Sequence, residues 1–200
     1  MSTQRKIIFL VIILLILDQA LKIWIKTHMM IGDNFNVIGD WFRIHLIENN
    51  GMAFGMELGG KWGKMVLSLF RIFAVVCIGW YIKHLINEKA PKGVIFSFAL
   101  IFCGALGNII DSMFYGMIFN DSHSQIATFL PESGGYASFL HGKVVDMFYF
   151  PLYEGFLPSW VPFWGDQYFI FFRPVFNLAD AYITIGVLIL LLFQRKFFSK

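Results

Sequence analysis

Val94-Ile95-Phe96-Ser97-Phe98-Ala99-Leu100-Ile101-Phe102-Cys103-Gly104-Ala105-Leu106-Gly107-Asn108-Ile109-Ile110-Asp111-Ser112-Met113-Phe114 is the stretch whose reading decides the fold. It carries no charge before Asp111. As a helix rising 1.5 Å per residue it reaches across the roughly 30 Å hydrocarbon layer of a bilayer. Three more stretches of this kind lie outside it, about Ile7 to Ile25, Met65 to Ile82 and about Leu178 to Phe193. The expectation is an all-α membrane protein, a bundle of four transmembrane helices forming a single domain over residues 1–200.

The composition agrees. Hydrophobic residues make up 58% of the 200 and charged residues 14%, against about 45–50% and about 25% in soluble domains. The 24 Phe, 6 Trp and 7 Tyr suit a chain in and beside lipid. A net charge of +3 is too small to suggest a nucleic-acid partner. Arg5-Lys6 followed by an apolar run resembles the start of a signal peptide. That run continues into Asp18, Lys22 and Trp24 with no small-residue cleavage site behind it, so an uncleaved first helix is expected.

Cys77 and Cys103 each sit alone in an apolar run, which predicts two buried thiols rather than a disulfide framework. The histidines, His28, His45, His84, His123 and His141, show no paired helical spacing, and no metal is expected. Lys and Arg set the orientation. The N-terminus, the link between the second and third spans and the tail together hold eight, in dense clusters; the two long loops, 26–64 and 115–177, hold six. Both termini are therefore expected in the cytoplasm and both loops outside, with Trp24 and Trp62 at the outer interface and Trp80 at the inner one. In the loops, Trp41 to Ile47 and Lys143 to Phe150 read as strands, the first closed by the turn residues Asn49-Asn50-Gly51, and predict a small extracytoplasmic sheet.

Ionisable residues inside a membrane are rare and point to function. Asp18 and Lys22 stand four apart on one helix face, the spacing of an ion pair. Arg71, in the outer half of the second span, is explained by snorkelling to the headgroups. Gly104, Ala105 and Gly107 allow close helix packing, and Asn108 and Asp111 share a face that can point into the bundle. Asp146, at the end of the Val144-Val145 run, and Asp180, in the first turn of the fourth span, both fall at the outer boundary. Singly, one is a loop carboxylate and the other a helix cap. Two carboxylates converging in a poorly solvated site share a proton and can act as base and acid, the aspartic-protease arrangement. Spacing alone does not bring them together.

Taken in order, five pieces resemble the lipoprotein signal peptidases (signal peptidase II) over nearly the whole chain. They are Asp18-Gln19-x-x-Lys22, Asn50-Gly51-Met52-Ala53-Phe54-Gly55, Gly104-Ala105-Leu106-Gly107-Asn108-Ile109-Ile110-Asp111, Gly142-Lys143-Val144-Val145-Asp146 and Phe176-Asn177-Leu178-Ala179-Asp180. The resemblance implies a catalytic dyad of Asp146 and Asp180. It implies a substrate site lined by Asn50, Gly51, Asn108 and Asn177, with support from Asp18, Lys22 and Asp111. It implies a monomeric aspartic endopeptidase of the bacterial inner membrane, with its site at the outer face and no metal or organic cofactor. Its substrate would be a diacylglyceryl-modified prolipoprotein, cut just before the lipidated cysteine. Gly51, Gly55 and Gly59-Gly60 would let part of the first loop act as a lid.

Two departures stand out. Ser112 occupies the place where the family usually has an Arg, with Lys143 and Arg173 as the cations expected to substitute. Asp111 and Asp146 are also 35 apart, which predicts an extra outer loop over about 117–141. The rival readings are an ion-coupled transporter using Asp18, Lys22, Asp111 and Asp180 as a proton relay, and a scaffold in which polar residues are packing glue. No paired halves of the transporter type are visible.

Overall fold

The computed structural model describes residues 2–51 and 60–198. The Met52 to Gly55 part of the first-loop piece, and Gly59 of the expected lid, lie outside them.

Helix α1 (Thr3–Lys26) starts at Ser2, whose Oγ accepts the Arg5 N–H at 3.4 Å. Helix α2 covers Gly60–Asn87, and α3 covers Lys92–Ile110 behind Pro91. The missing N–H of a proline is no loss at a helix start. A π-helical turn, Asp111–Tyr115, and a short α4, Gly116–Ile118, extend α3. Helix α5 is Leu178–Phe198. The helical stretches Thr3–Lys26, Trp62–Asn87 and Lys92–Ile118 are long and apolar enough to cross a membrane, while the apolar part of α5, Leu178–Phe193, is shorter.

The helices carry their apolar side chains outward. Ile8, Phe9, Ile12 and Ile16 of α1, Phe70, Phe73 and Val76 of α2, and Leu188, Leu191 and Leu192 of α5 are all exposed. Water would penalise such a surface and lipid would not. One cysteine expectation is corrected here. Cys103 is buried but Cys77 is exposed, because α2 packs chiefly against α3 and leaves much of its circumference outward. Inside the bundle, α3 and α5 meet through small residues. A Cβ on Gly107 would lie 2.7 Å from Asp18 Oδ2 and 3.2 Å from the Ala179 Cβ, and one on Gly186 2.7 Å from the Ser97 carbonyl oxygen.

The strands are β1 (Asn34–Ile38), β2 (Phe42–Asn49), β3 (Val144–Tyr149), β4 (Tyr153–Phe156), β5 (Tyr168–Phe171) and β6 (Val175–Phe176). Four of them form an antiparallel sheet in the order β1-β2-β3-β6. Ile47 pairs with Asp146 and Glu48 with Val145, so the two loops are joined at the level of Asp146. Val144 to Met147 is buried throughout. The β4–β5 hairpin forms a separate two-stranded sheet, with Trp160, Phe163 and Trp164 exposed in its connecting loop. Sequence reading does not find it, since exposure on both faces removes the alternation that marks a half-buried strand.

The long segment between Asp111 and Asp146 is packed against the rest of the fold. Gly142 N–H donates to the Ser112 carbonyl at 2.9 Å, Ile31 N–H to the Ser122 carbonyl at 3.1 Å, and Ser68 Oγ to the Leu140 carbonyl at 3.1 Å. Tyr115 and Phe119 share a core with Ile25, Leu46, Val145 and Met147. Beside that core Lys26 is ion-paired with Glu48, donates to Ser122 Oγ at 2.7 Å and lies 5.1 Å from the centre of the Tyr136 ring. Ser122 Oγ donates to Glu48 Oε1 at 2.8 Å. Glu48 is held below the usual carboxylate range: burial alone would raise it, but Lys26, Ser122 and Lys143 more than offset that.

Candidate active site

Two elements carry the two carboxylates. Asp146 stands on the buried strand β3 and Asp180 in the first turn of α5. Asn177, just ahead of α5, joins them. Its Nδ2 donates to Asp146 Oδ1 at 2.7 Å, while its Oδ1 accepts the Asp180 N–H at 2.9 Å and Asp180 Oδ2 accepts the Asn177 N–H at 3.3 Å. This reciprocal exchange is a capping box built from Asn and Asp. The helix-cap reading of Asp180 is thus correct for one of its oxygens. The other, Oδ1, accepts from Asn108 Nδ2 at 2.8 Å.

Behind the pair runs a buried polar network. Asn108 Oδ1 accepts from Lys22 Nζ at 2.9 Å and from Asn177 Nδ2 at 3.1 Å. Lys22 Nζ lies 3.0 Å from Asp18 Oδ2 and 2.8 Å from Asp111 Oδ2. Asp18 Oδ1 accepts the Ala179 N–H at 3.0 Å, so α1 caps the first turn of α5. Gln19, part of the first-span piece but given no role there, donates to Asp111 Oδ1 at 2.9 Å and accepts from the Tyr115 hydroxyl at 3.2 Å. Buried charges of this kind persist only when their lone pairs and protons are matched, as they are here.

The first loop approaches from the other side. Asn49 Nδ2 donates to Asp146 Oδ2 at 3.3 Å, and Asn49 Oδ1 accepts the Gly51 N–H at 2.8 Å. Asn50 Oδ1 instead accepts from Lys64 Nζ at 3.2 Å. Gly51 sits at φ 98°, a region glycine enters freely, and its carbonyl accepts from Arg71 Nη2. Asn49, read only as one of the turn residues Asn49-Asn50-Gly51, gave no sign in sequence of reaching Asp146.

The cation expectations change as well. Lys143 is 3.4 Å from Glu48 Oε2, and its ammonium lies 5.7 Å from the centre of the Tyr136 ring, so it is engaged with Glu48. Arg173 is exposed. Arg71, read as snorkelling to headgroups, is half-buried and bonded inward to a backbone carbonyl.

Asp146 is pushed up to about 7, first by burial and then by the charge of Asp180, against the bonds from Asn49 and Asn177 and the pull of Lys22. A carboxyl that titrates near neutrality beside a second carboxylate is the requirement for sharing one proton between base and acid roles. Among the described residues no group of three or more His, Cys, Asp or Glu is placed to hold a metal ion.

Comparison with known proteins gives the family. The family model described as Signal peptidase (SPase) II matches residues 10–196. The lipoprotein signal peptidase of Porphyromonas gingivalis is 52% identical over 183 residues, covering 91% of this chain and 79% of that one. That of Amoebophilus asiaticus is 38% identical, covering 90% and 73%. Two solved bacterial membrane enzymes superpose with TM-scores of 0.60 and 0.59 at 26% and 25% identity, over 96% and 98% of this chain and 93% and 92% of theirs. With its apolar helices, the chain is a multi-pass membrane protein. It belongs to the signal peptidase II family.

Proposed function

We propose that this chain removes the signal peptide from diacylglyceryl-modified prolipoproteins, cutting just before the lipidated cysteine with Asp146 and Asp180 as an aspartic dyad. The observation that supports it most is the Asn177 side chain, bonded at once to Asp146 and to the Asp180 backbone. One carboxylate of the pair takes a proton from water, and the water oxygen attacks the carbonyl carbon of the residue before the cysteine. The other, protonated, gives its proton to the carbonyl oxygen. On collapse of the tetrahedral gem-diol the first carboxyl gives its proton to the leaving cysteine nitrogen while the second takes one back from a diol hydroxyl, so the C–N bond breaks and the dyad is restored with one proton.

The whole chain acts as one domain in this reading, as a monomer without metal or organic cofactor. All four apolar helices span, both termini are cytoplasmic, and the site faces outward, where the lipid of the substrate is anchored. Asn108 and Asn177 orient the dyad, Lys22, Asp18 and Asp111 hold those asparagines and the α5 start, and Asn50 and Gly51 border the groove that takes the peptide. The exposed strand β1 offers an edge for the extended segment being cut.

The test is cleavage of a lipid-modified prolipoprotein by the purified full chain. Asp146→Asn and Asp180→Asn should each lower turnover by about 10³-fold or more while the protein still inserts. A double variant that still cleaves at the wild-type rate overturns the reading.

A further inference from the structure

We infer that Arg71 is a positioning residue of this reaction: held on the Gly51 carbonyl, its guanidinium is the fixed cation on the α2 side of the carboxylate pair and tunes the proton that the pair shares. The inference rests on the dyad proposed above.

Three observations lead to it. The first is direction. Phe70 and Phe73, flanking Arg71 in α2, are exposed, yet the arginine head turns inward and Nη2 donates to a backbone carbonyl. A snorkelling arginine does the reverse.

The second is connection. A Cβ added to Gly51 would lie 2.6 Å from Arg71 Nη1, so the guanidinium lies against that residue. From Gly51 the path continues through its N–H to Asn49 Oδ1 at 2.8 Å, and from Asn49 Nδ2 to Asp146 Oδ2 at 3.3 Å.

The third is charge. Arg71 interacts electrostatically with Asp180 and Asp146, and among the described residues it has no carboxylate within ion-pair distance. Among the described residues, Lys22 from α1 also acts on Asp146, with Asp18 and Asp111 ion-paired to that lysine, and Arg71 is the cation from α2. Lys64, nearer the start of α2, is bonded to Asn50. Lys22 is already divided between Asp18 and Asp111. Arg71 therefore offsets the pair's own charge, and a guanidinium does so at every working pH.

A nearby cation favours the ionised form of a carboxyl. Removing it must move the loss of the shared proton to higher pH. We expect Arg71→Gln, in the full chain in detergent micelles, to lower kcat about tenfold and to shift the pH profile of cleavage upward by roughly half a unit to one unit. Arg71→Lys keeps the charge but not the fork on Gly51, and its profile should stay at the wild-type pH with a smaller loss of kcat. Arg71→Met, which keeps the aliphatic stem, replaces the Gln variant if that one does not fold. An unmoved profile in the neutral variants overturns the inference, as does a Lys variant that shifts as far as they do. Asp146→Asn is run alongside. If it is inactive while the Arg71 profiles do not move, only the role of Arg71 falls; if it cleaves normally, the dyad itself falls.

Discussion

Lys22 Nζ and Asp111 Oδ2 lie 2.8 Å apart, with neither side chain exposed. The lysine also holds Asp18 and Asn108, so one ammonium joins α1 to α3 and, through the Asp18 bond to Ala179, to α5. Breaking a buried pair leaves an uncompensated charge, typically at about 3–5 kcal/mol. Lys22→Met leaves two such carboxylates. We expect a fall in stability of that order, read as a lowered thermal midpoint in micelles. Asp18→Asn, which keeps an acceptor for the Ala179 N–H, should cost less.

Glu48 is the corresponding centre for the inserted segment. It receives Lys26, Ser122 and Lys143, and it pairs with Val145 beside Asp146. Glu48→Ala strands Lys26, which is 1% exposed. The expected result is a loss of about 3–5 kcal/mol with faster proteolytic nicking between 120 and 141. Ser122→Ala removes a hydroxyl bonded to both charges and should cost about 1.5–3 kcal/mol.

The state of Asp146 gives a pH prediction. Its native pKa of about 7 stands above the ordinary 3.8, so between those values the native state holds a proton that the unfolded chain has lost. Stability must therefore fall as pH rises from about 4 to 7, by about 4 kcal/mol at most at 1.36 kcal/mol per unit. Asp146→Asn removes this dependence and should raise stability at pH 8. Wild-type cleavage should fall above pH 7, approaching tenfold per pH unit once the shared proton is gone. Thermal unfolding and initial rates across pH 5 to 9 check both.

The parts of this fold written in local periodicity were legible. The apolar runs gave the helices, the Asp18–Lys22 spacing gave an ion pair, and the Trp41 to Ile47 and Lys143 to Phe150 runs gave β2 and β3 within two residues. What was hidden depends on chain segments meeting at long range. Arg71 looks like an interfacial arginine until Gly51, twenty residues earlier, is seen to accept from it. Asn49 sits one place from the expected Asn50, and a one-residue change on a strand reverses which face a side chain takes. Cys77 and Cys103 have similar apolar surroundings in sequence but opposite burial, because only packing says which side of a lipid-facing helix is inward. The Lys26, Glu48 and Ser122 cluster draws on three separate segments and leaves no spacing signal in any of them.

The bridging position of Asn177 also bears on biogenesis. Asp146 is synthesised with strand β3, but Asn177, Asp180 and the helix that carries them emerge later from the ribosome. Until α5 docks, Asp146 has neither its carboxylate neighbour nor the amide that aims it. On the proposed dyad, the catalytic pair of a nascent chain is therefore incomplete until α5 is in place.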